Sequence, residues 1–120
     1  MSQSNENQRL CILFVCAKNQ WRSPTAEQIY RKDPRLHVRS AGLSPKSRHQ
    51  LKERDLIWAD IVLVMEQEHK SRILKFYRES CPQIECLDIP DEYEYMNEEL
   101  VELLIERVDV VIEREIDLEA

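Results

Sequence analysis

One segment, residues 12–27, constrains the fold of this chain more than any other. It begins with the apolar run Ile-Leu-Phe-Val, continues through a short polar loop and reaches Pro24, a residue type favoured in the first turn of a helix. An apolar run without polar alternation is typical of a parallel strand covered on both faces. The segment therefore predicts a strand, a tight loop and a helix, the repeating unit of α/β folds.

The predicted loop carries residue types that bind and attack phosphate. The backbone N–H groups at a helix N-terminus lack intrahelical partners, and the helix dipole adds positive potential there. Arg22 adds a planar guanidinium that can bind two phosphate oxygens at once. Cys16 faces this positive potential, which favours a reactive thiolate near neutral pH. Ser23 has two predicted contacts, since its hydroxyl could cap the helix before Pro24 and could also donate to the Cys16 sulfur.

The alternative interpretation of this segment is an inert buried cysteine followed by an ordinary helix cap. The sequence Cys, five residues, Arg, Ser, Pro, placed between a strand and a helix, favours the reactive site instead.

Residues 12–27 resemble the phosphate-binding loop of the low-molecular-weight protein tyrosine phosphatases. The match comprises the strand, the spacing from Cys16 to Arg22, Asn19, and the Arg-Ser-Pro run followed by Ala26 and Glu27. Members commonly have glycine where this chain has Lys18, a departure that bears on the backbone geometry of the loop. The resemblance implies phosphate binding by Ala17, Lys18, Asn19, Gln20, Trp21, Arg22 and Ser23, and support of the loop by Asn19, Ser23 and Ser40.

Composition restricts the class of protein and its partners. With 120 residues, 42% hydrophobic and 33% charged, residues 1–120 are expected to form one domain with a polar, flexible tail at residues 1–8. A net charge of −6 argues against nucleic acid as a partner. No apolar run approaches the ~20 residues of a membrane span, so we expect no membrane partner and a cytoplasmic location with reduced cysteines.

Further strand and helix patterns complete a predicted α/β fold. The predicted strands are residues 10–15, 36–40, 61–65 and 84–89. The first and third are continuously apolar and the other two alternate, which predicts a four-stranded parallel sheet of order 2-1-3-4 with helices on both faces, a three-layer fold. Helices are predicted at residues 24–32, 66–80 and after an Asn97 cap, with a short helix within 43–56. We expect the second of these to pack through Ile73, Phe76 and Tyr77, and His69 to be solvated.

The loop after the fourth strand resembles the family's general-acid loop. Its sequence, Asp-Ile-Pro-Asp-Glu-Tyr-Glu-Tyr-Met from Asp88, is similar to that of a compact bacterial branch. The resemblance implies that Asp91 is the general acid and that Tyr93 forms an aromatic wall for the substrate. Asp88 is the competing candidate for the acid. Only about 17 residues separate Gly42 from Asp60, fewer than in ordinary members, which implies a more open site.

These residues predict a metal-independent, cofactor-free phosphatase in which Cys16 attacks phosphorus, Arg22 binds phosphate and Asp91 transfers a proton. The expected substrate is a phosphotyrosine protein or a small aryl phosphate, with inorganic phosphate and other oxyanions as inhibitors. Two alternatives stay open at this point: a binding module that holds a phosphorylated ligand without hydrolysing it, and a thioredoxin-coupled arsenate reductase that uses Cys81 and Cys86. Cys11 is interpreted as structural.

Overall fold

The computed structural model describes residues 9–119, in which a parallel sheet lies between two layers of helices. The predicted tail, residues 1–8, lies outside the described residues. The sheet order is β2-β1-β3-β4, which confirms the predicted order and the predicted central strands. The elements are β1 (Leu10–Cys16), α1 (Arg22–Tyr30), β2 (Leu36–Gly42), α2 (Glu53–Trp58), β3 (Ile61–Val64), α3 (Gln67–Tyr77), β4 (Gln83–Cys86) and α4 (Glu98–Glu119), with a single 3₁₀ turn, Arg78–Ser80, after α3.

The central strand β1 is apolar throughout because its two faces belong to two separate cores. Ile12 and Phe14 pack with α1 and α4, whereas Leu13 and Val15 pack with α2 and α3. Successive side chains of a strand point to opposite faces, so a strand covered on both sides has no solvated position. Cys16 is the last residue of β1 and so lies at the carboxyl ends of the strands, where ligands bind in folds of this type.

The structure corrects two predictions for α3. Phe76 is 69% exposed, so the expectation that it packs inward is wrong, and His69 is buried rather than solvated. The inward stripe of this helix advances in steps of four residues, from His69 through Ile73 to the partly buried Tyr77. Phe76 therefore lies outside the buried stripe. His69 lies within it, although a polar residue would not be expected at a buried position.

Strand β4 is also shorter than predicted. It ends at Cys86, and two residues later Asp88 has a positive φ of 56°, which turns the chain away from the strand direction. The backbone N–H groups of Leu87 and Ile89 still donate to the carbonyls of Val64 and Met65. The loop that follows is therefore held along the end of the sheet. The predicted Asn97 cap is confirmed, since its side-chain oxygen accepts from the N–H groups of Glu99 and Leu100 at 2.9 and 3.1 Å.

Gly42, the only glycine in the sequence, is required by a close approach of the backbone. A Cβ at this position would collide with Ser47 Oγ and lie 2.7 Å from the backbone nitrogen of Asn19. We expect Gly42→Ala to lower the free energy of unfolding by about 1–3 kcal/mol, as overpacking typically does. Urea denaturation measures this, and adding Ser47→Gly should recover part of the loss by removing one of the two collisions. A change below about 0.5 kcal/mol, the range of neutral surface substitutions, would contradict the assignment.

Candidate active site

The loop of residues 17–21, between β1 and α1, surrounds a cavity of about 120 Å³. The volume equals that of about four water molecules at about 30 Å³ each, which is suited to a small oxyanion. Within the described part of the chain, none of the backbone N–H groups of these five loop residues donates a hydrogen bond. Such groups require a partner, and an anion at a helix N-terminus supplies one. The cavity is lined by Cys16, Ala17, Lys18, Gln20, Trp21, Arg22 and Asp91.

Cys16 lies at the base of this cavity, 3% exposed. Its sulfur is 3.0 Å from Ser23 Oγ, the predicted contact between these two side chains. The predicted helix cap by Ser23 is wrong, because α1 begins at Arg22, two residues before the predicted start at Pro24, and its N-cap residue Trp21 makes no side-chain cap hydrogen bond. The Ser23 hydroxyl instead contacts the thiol and accepts a hydrogen bond from Asn19. A hydroxyl in that position stabilises a thiolate by hydrogen bonding.

Asn19 fixes the loop from behind. Its side-chain Nδ2 donates to Ser23 Oγ at 3.0 Å and to Ser40 Oγ at 2.9 Å, and its Oδ1 accepts from the backbone N–H of His49 at 3.1 Å. Asn19 also has the positive φ of the loop, 52°, which asparagine tolerates better than most residues. Lys18 does not have a positive φ, so lysine in place of the family's usual glycine introduces no backbone strain.

The guanidinium of Arg22 is buried, 2% exposed, and its orientation is set by two acceptors. Nη1 donates to a carboxylate oxygen of Glu66 and, at 2.8 Å, to the carbonyl of Ile89. Nε lies 3.6 Å from a carboxylate oxygen of Asp91. These contacts direct the fork of the guanidinium at the cavity, where it can bind two oxygens of an anion.

The structure separates the two candidate acids. Asp91 lines the cavity with Cys16 and its side chain is 59% exposed. Asp88 is not among the residues that line this cavity, and its carboxylate accepts a hydrogen bond from the Cys86 thiol at 3.3 Å. Of these two carboxylates, Asp91 therefore lies at the cavity that contains the Cys16 thiol, and Asp88 does not.

Aromatic side chains near the site occupy different places from those that the resemblance implied. Tyr93 is partly buried against the core on the α1 and α4 side and is not among the residues lining the cavity. Trp21 lines the cavity and is 37% exposed. The aromatic ring that borders the cavity is therefore that of Trp21, which belongs to the loop of residues 17–21.

Sequence reasoning missed three residues that position this site. Glu66 binds Arg22, the backbone of His49 binds Asn19, and Arg107 of α4 donates to the carbonyls of Leu87 and Asp88 in the acid loop. Glu66 could have been proposed from the sequence, because it comes shortly after β3 and so lies at the carboxyl ends of the strands, where ligands bind. The other two had none, since their partners are distant in the sequence.

His69 makes the stability of this region dependent on pH. Burial lowers the pKa of His69, with a further contribution from the nearby positive charge of Arg22, and its Nδ1 accepts from the Glu66 N–H at 3.2 Å. Because the folded pKa is below the unfolded value of about 6.5, the unfolded state takes up protons first. The stability contribution is complete above about pH 6.5 and is lost as the pH falls below it. Urea denaturation from pH 7 to about pH 5 should show this loss.

The matched variants for this prediction are His69→Asn and His37→Asn, since His37 is exposed. The first should flatten the decline in stability and the second should leave it unchanged. An unaltered decline in His69→Asn would show that other groups cause it.

No protein-family model and no curated protein matches the chain. Solved structures do. The low-molecular-weight protein tyrosine phosphatase from T. tengcongensis is 26% identical with a TM-score of 0.74, and the match covers 88% of this chain and 99% of that one. Wzb from Vibrio vulnificus, in complex with benzylphosphonate, gives the same four values. The YwlE arginine phosphatase from Geobacillus stearothermophilus is 26% identical with a TM-score of 0.69, over 88% of this chain and 94% of that one.

The sheet order, the loop with its cysteine and arginine, and coverage of nearly the full length of these proteins define one class of protein. The chain has the fold of the low-molecular-weight protein tyrosine phosphatases and is similar in sequence, at 26% identity, to the T. tengcongensis member of that family. Separately, no helix among residues 9–119 has the length and apolar character needed to cross a membrane.

Proposed function

We propose that this protein hydrolyses phosphate monoesters, with phosphotyrosine proteins or small aryl phosphates as substrates. One observation carries the proposal. A single cavity joins the Cys16 thiol, loop amides that donate to no acceptor within residues 9–119, the Arg22 guanidinium and the Asp91 carboxyl. These are the nucleophile, the charge-stabilising groups and the proton donor that phosphoryl transfer to a thiolate requires.

The reaction proceeds in two steps. In the first, the Cys16 sulfur forms a bond to phosphorus as the bond from phosphorus to the leaving oxygen breaks, and Asp91 gives its proton to that oxygen. In the second, water attacks phosphorus, Asp91 takes a proton from the water, and the sulfur–phosphorus bond breaks. The products are the free hydroxyl compound and inorganic phosphate, and Cys16 returns to its thiolate form.

The charge on the transferred group is stabilised by the chain itself. Backbone N–H groups from Ala17 to Arg22 and the guanidinium of Arg22 bind the three equatorial oxygens, so the proposed chemistry is metal-independent and needs no cofactor. The Ser23 hydroxyl, 3.0 Å from the sulfur, stabilises the thiolate when it leaves in the second step. Inorganic phosphate and similar oxyanions bind the same groups and are therefore expected to inhibit.

The preference for an aryl phosphate is supported by Trp21, whose ring lines the cavity and could stack on that of the substrate. The similar Wzb from Vibrio vulnificus is in complex with benzylphosphonate, a phosphonate that carries an aromatic ring. The negative net charge of −6 disfavours nucleic acid, and the proposal includes no membrane partner. A cytoplasmic location is proposed because a catalytic thiol requires reducing conditions, and all four cysteines are free.

Arsenate reduction is disfavoured by the placement of the other cysteines. Cys81 and Cys86 pack against the core on the α2 and α3 side, whereas Cys16 belongs to the core on the opposite face of the sheet. Burial raises the pKa of both the Cys81 and the Cys86 thiols, which disfavours the thiolates that a relay requires.

The test is steady-state hydrolysis of a phosphotyrosine peptide in the presence of EDTA by the wild type, Asp91→Asn and Asp88→Asn. Asparagine tolerates the positive φ at position 88, so the second variant is a matched control. We expect kcat to fall about 10²- to 10⁴-fold in Asp91→Asn, the usual contribution of general-acid catalysis, and to change little in Asp88→Asn.

Three results would contradict parts of this proposal. A large fall in kcat for Asp88→Asn with little change for Asp91→Asn would show that Asp88 is the general acid. Loss of wild-type activity in EDTA would refute the metal-independent mechanism. A wild type that binds phosphate but hydrolyses neither phosphotyrosine, phosphoserine nor phosphoarginine peptides would be a binding module.

A further inference from the structure

A second cavity, of about 560 Å³, lies beside the phosphate-binding loop. It is bordered by α1, the edge strand β2, the segment of residues 43–52 and α2, and its lining includes Asn19, Ser40, Arg39, Arg48, His49 and Arg54. We call this the flanking cavity. No cysteine is among its lining residues, so it is not a second site for the proposed hydrolysis.

Arginines outnumber carboxylates by three to two in the lining of the flanking cavity, although the whole chain is acidic. Arg39, Arg48 and Arg54 form no ion pair and no side-chain hydrogen bond with any residue of the described range 9–119. The two carboxylates that line the cavity are already engaged: Glu27 accepts from Ser40 at 2.6 Å, and Asp55 contacts the His49 ring at 3.0 Å. The three guanidinium groups are therefore left without a direct ion-pair partner among residues 9–119, although two carboxylates line the same cavity.

The arginines are positioned by three different elements. Arg39 is held over the ring of Trp58, with its guanidinium carbon 4.1 Å from the ring centroid. This contact restrains a long side chain and leaves its N–H groups free to donate. Arg48 comes from the segment after β2, and Arg54 comes from α2. Donors from separate elements around one cavity suit a ligand with several acceptor groups.

We propose that the flanking cavity binds a small polyanion that carries two or more phosphate groups. Its volume, 560 Å³ against 120 Å³ for the catalytic cavity, exceeds what one phosphate needs. A large polyanion is disfavoured, because the net charge of −6 repels it at longer range. The site therefore favours ligands that are small and carry several negative charges.

The flanking cavity borders the catalytic loop directly. Asn19 and Ser40 line it, and His49, which also lines it, holds Asn19 through its backbone N–H. A ligand on Arg48 and Arg54 would therefore lie next to the groups that support the phosphate-binding loop.

The experiment follows backbone amide signals by NMR in ¹⁵N-labelled Cys16→Ser protein titrated with pyrophosphate. This variant prevents turnover, so the outcome does not depend on the proposed phosphatase activity. We expect two sets of shifted signals, one from residues 17–22 and one from Arg39, Arg48 and Arg54, each with its own Kd. The double variant Arg48→Gln/Arg54→Gln should weaken the second set by about tenfold or more, since two charge-assisted contacts are lost.

The matched control is Arg31→Gln/Arg78→Gln, which removes the same charge from two exposed positions outside the cavity. It should leave the second Kd unchanged within about twofold. Signals that shift only in residues 17–22 would overturn the proposal. Equal weakening by the two double variants would also overturn it, because the binding would then reflect overall charge alone.

Discussion

Replacing Cys16 with serine should reduce phosphatase turnover by on the order of 10⁴-fold or more, while the protein still binds inorganic phosphate. Loss of a covalent nucleophile costs at least this much in comparable enzymes, and a serine hydroxyl is a much weaker nucleophile than a cysteine sulfur. Binding persists because the loop amides and Arg22 remain in place around the cavity. The measurements are kcat for p-nitrophenyl phosphate and the Kd of phosphate by calorimetry.

The matched control is Cys11→Ser, the same substitution in the same strand, five residues before Cys16. Cys11 does not line the cavity, so its variant should retain kcat within a few-fold. If Cys16→Ser retains more than about one tenth of the wild-type rate, the covalent mechanism is wrong.

Arg22→Lys should reduce kcat by on the order of 10²- to 10³-fold, the usual effect of removing one group that stabilises the transition state. The guanidinium binds Glu66 and the Ile89 carbonyl through one nitrogen and leaves the others to bind phosphate, and an ammonium group lacks this fixed fork. The loss should appear in kcat with p-nitrophenyl phosphate, measured beside the thermal unfolding temperature of the same preparation.

Arg31→Lys is the control for this substitution, because Arg31 is exposed and directly follows the same helix. It should leave both kcat and the unfolding temperature unchanged. If Arg22→Lys remains folded and retains more than about one third of the wild-type kcat, Arg22 has no bidentate role in the transition state.

Most of the fold could be predicted because β1 and β3 differ visibly from the edge strands. Continuous apolar runs identify strands covered on both faces and so place β1 and β3 in the centre, and the family resemblance implies the order 2-1-3-4, which the structure has. Helix α4 could be predicted from its Asn97 cap and its stripe of apolar residues, which the structure confirms. These features are local, and each depends on residues close together in the chain.

The supporting contacts of the site could not be predicted because they join distant segments. Arg22 and Glu66 are 44 residues apart, and Asn19 and His49 are 30 apart. Periodicity contains no information about such pairs. The burial of His69 was missed for a related reason: a histidine among charged residues is usually solvated, and here its ring is satisfied by the Glu66 backbone. The flanking cavity likewise depends on arginines from three parts of the chain that only folding brings together.

The most direct test of the central claim is to trap the phosphorylated enzyme. The Asp91→Asn variant is mixed with p-nitrophenyl phosphate, whose leaving phenolate is stable without a proton, and is quenched within milliseconds. The phosphorylated residue is then located by peptide mass spectrometry. With this substrate the first step does not depend on a proton donor, whereas in the proposed mechanism the second step still needs Asp91 to activate water, so the intermediate should accumulate in this variant. We expect one phosphoryl group on Cys16, and none when Cys16 is replaced by serine. Phosphate release at the wild-type rate without any phosphorylated Cys16, or a phosphoryl group on another residue, would contradict the mechanism.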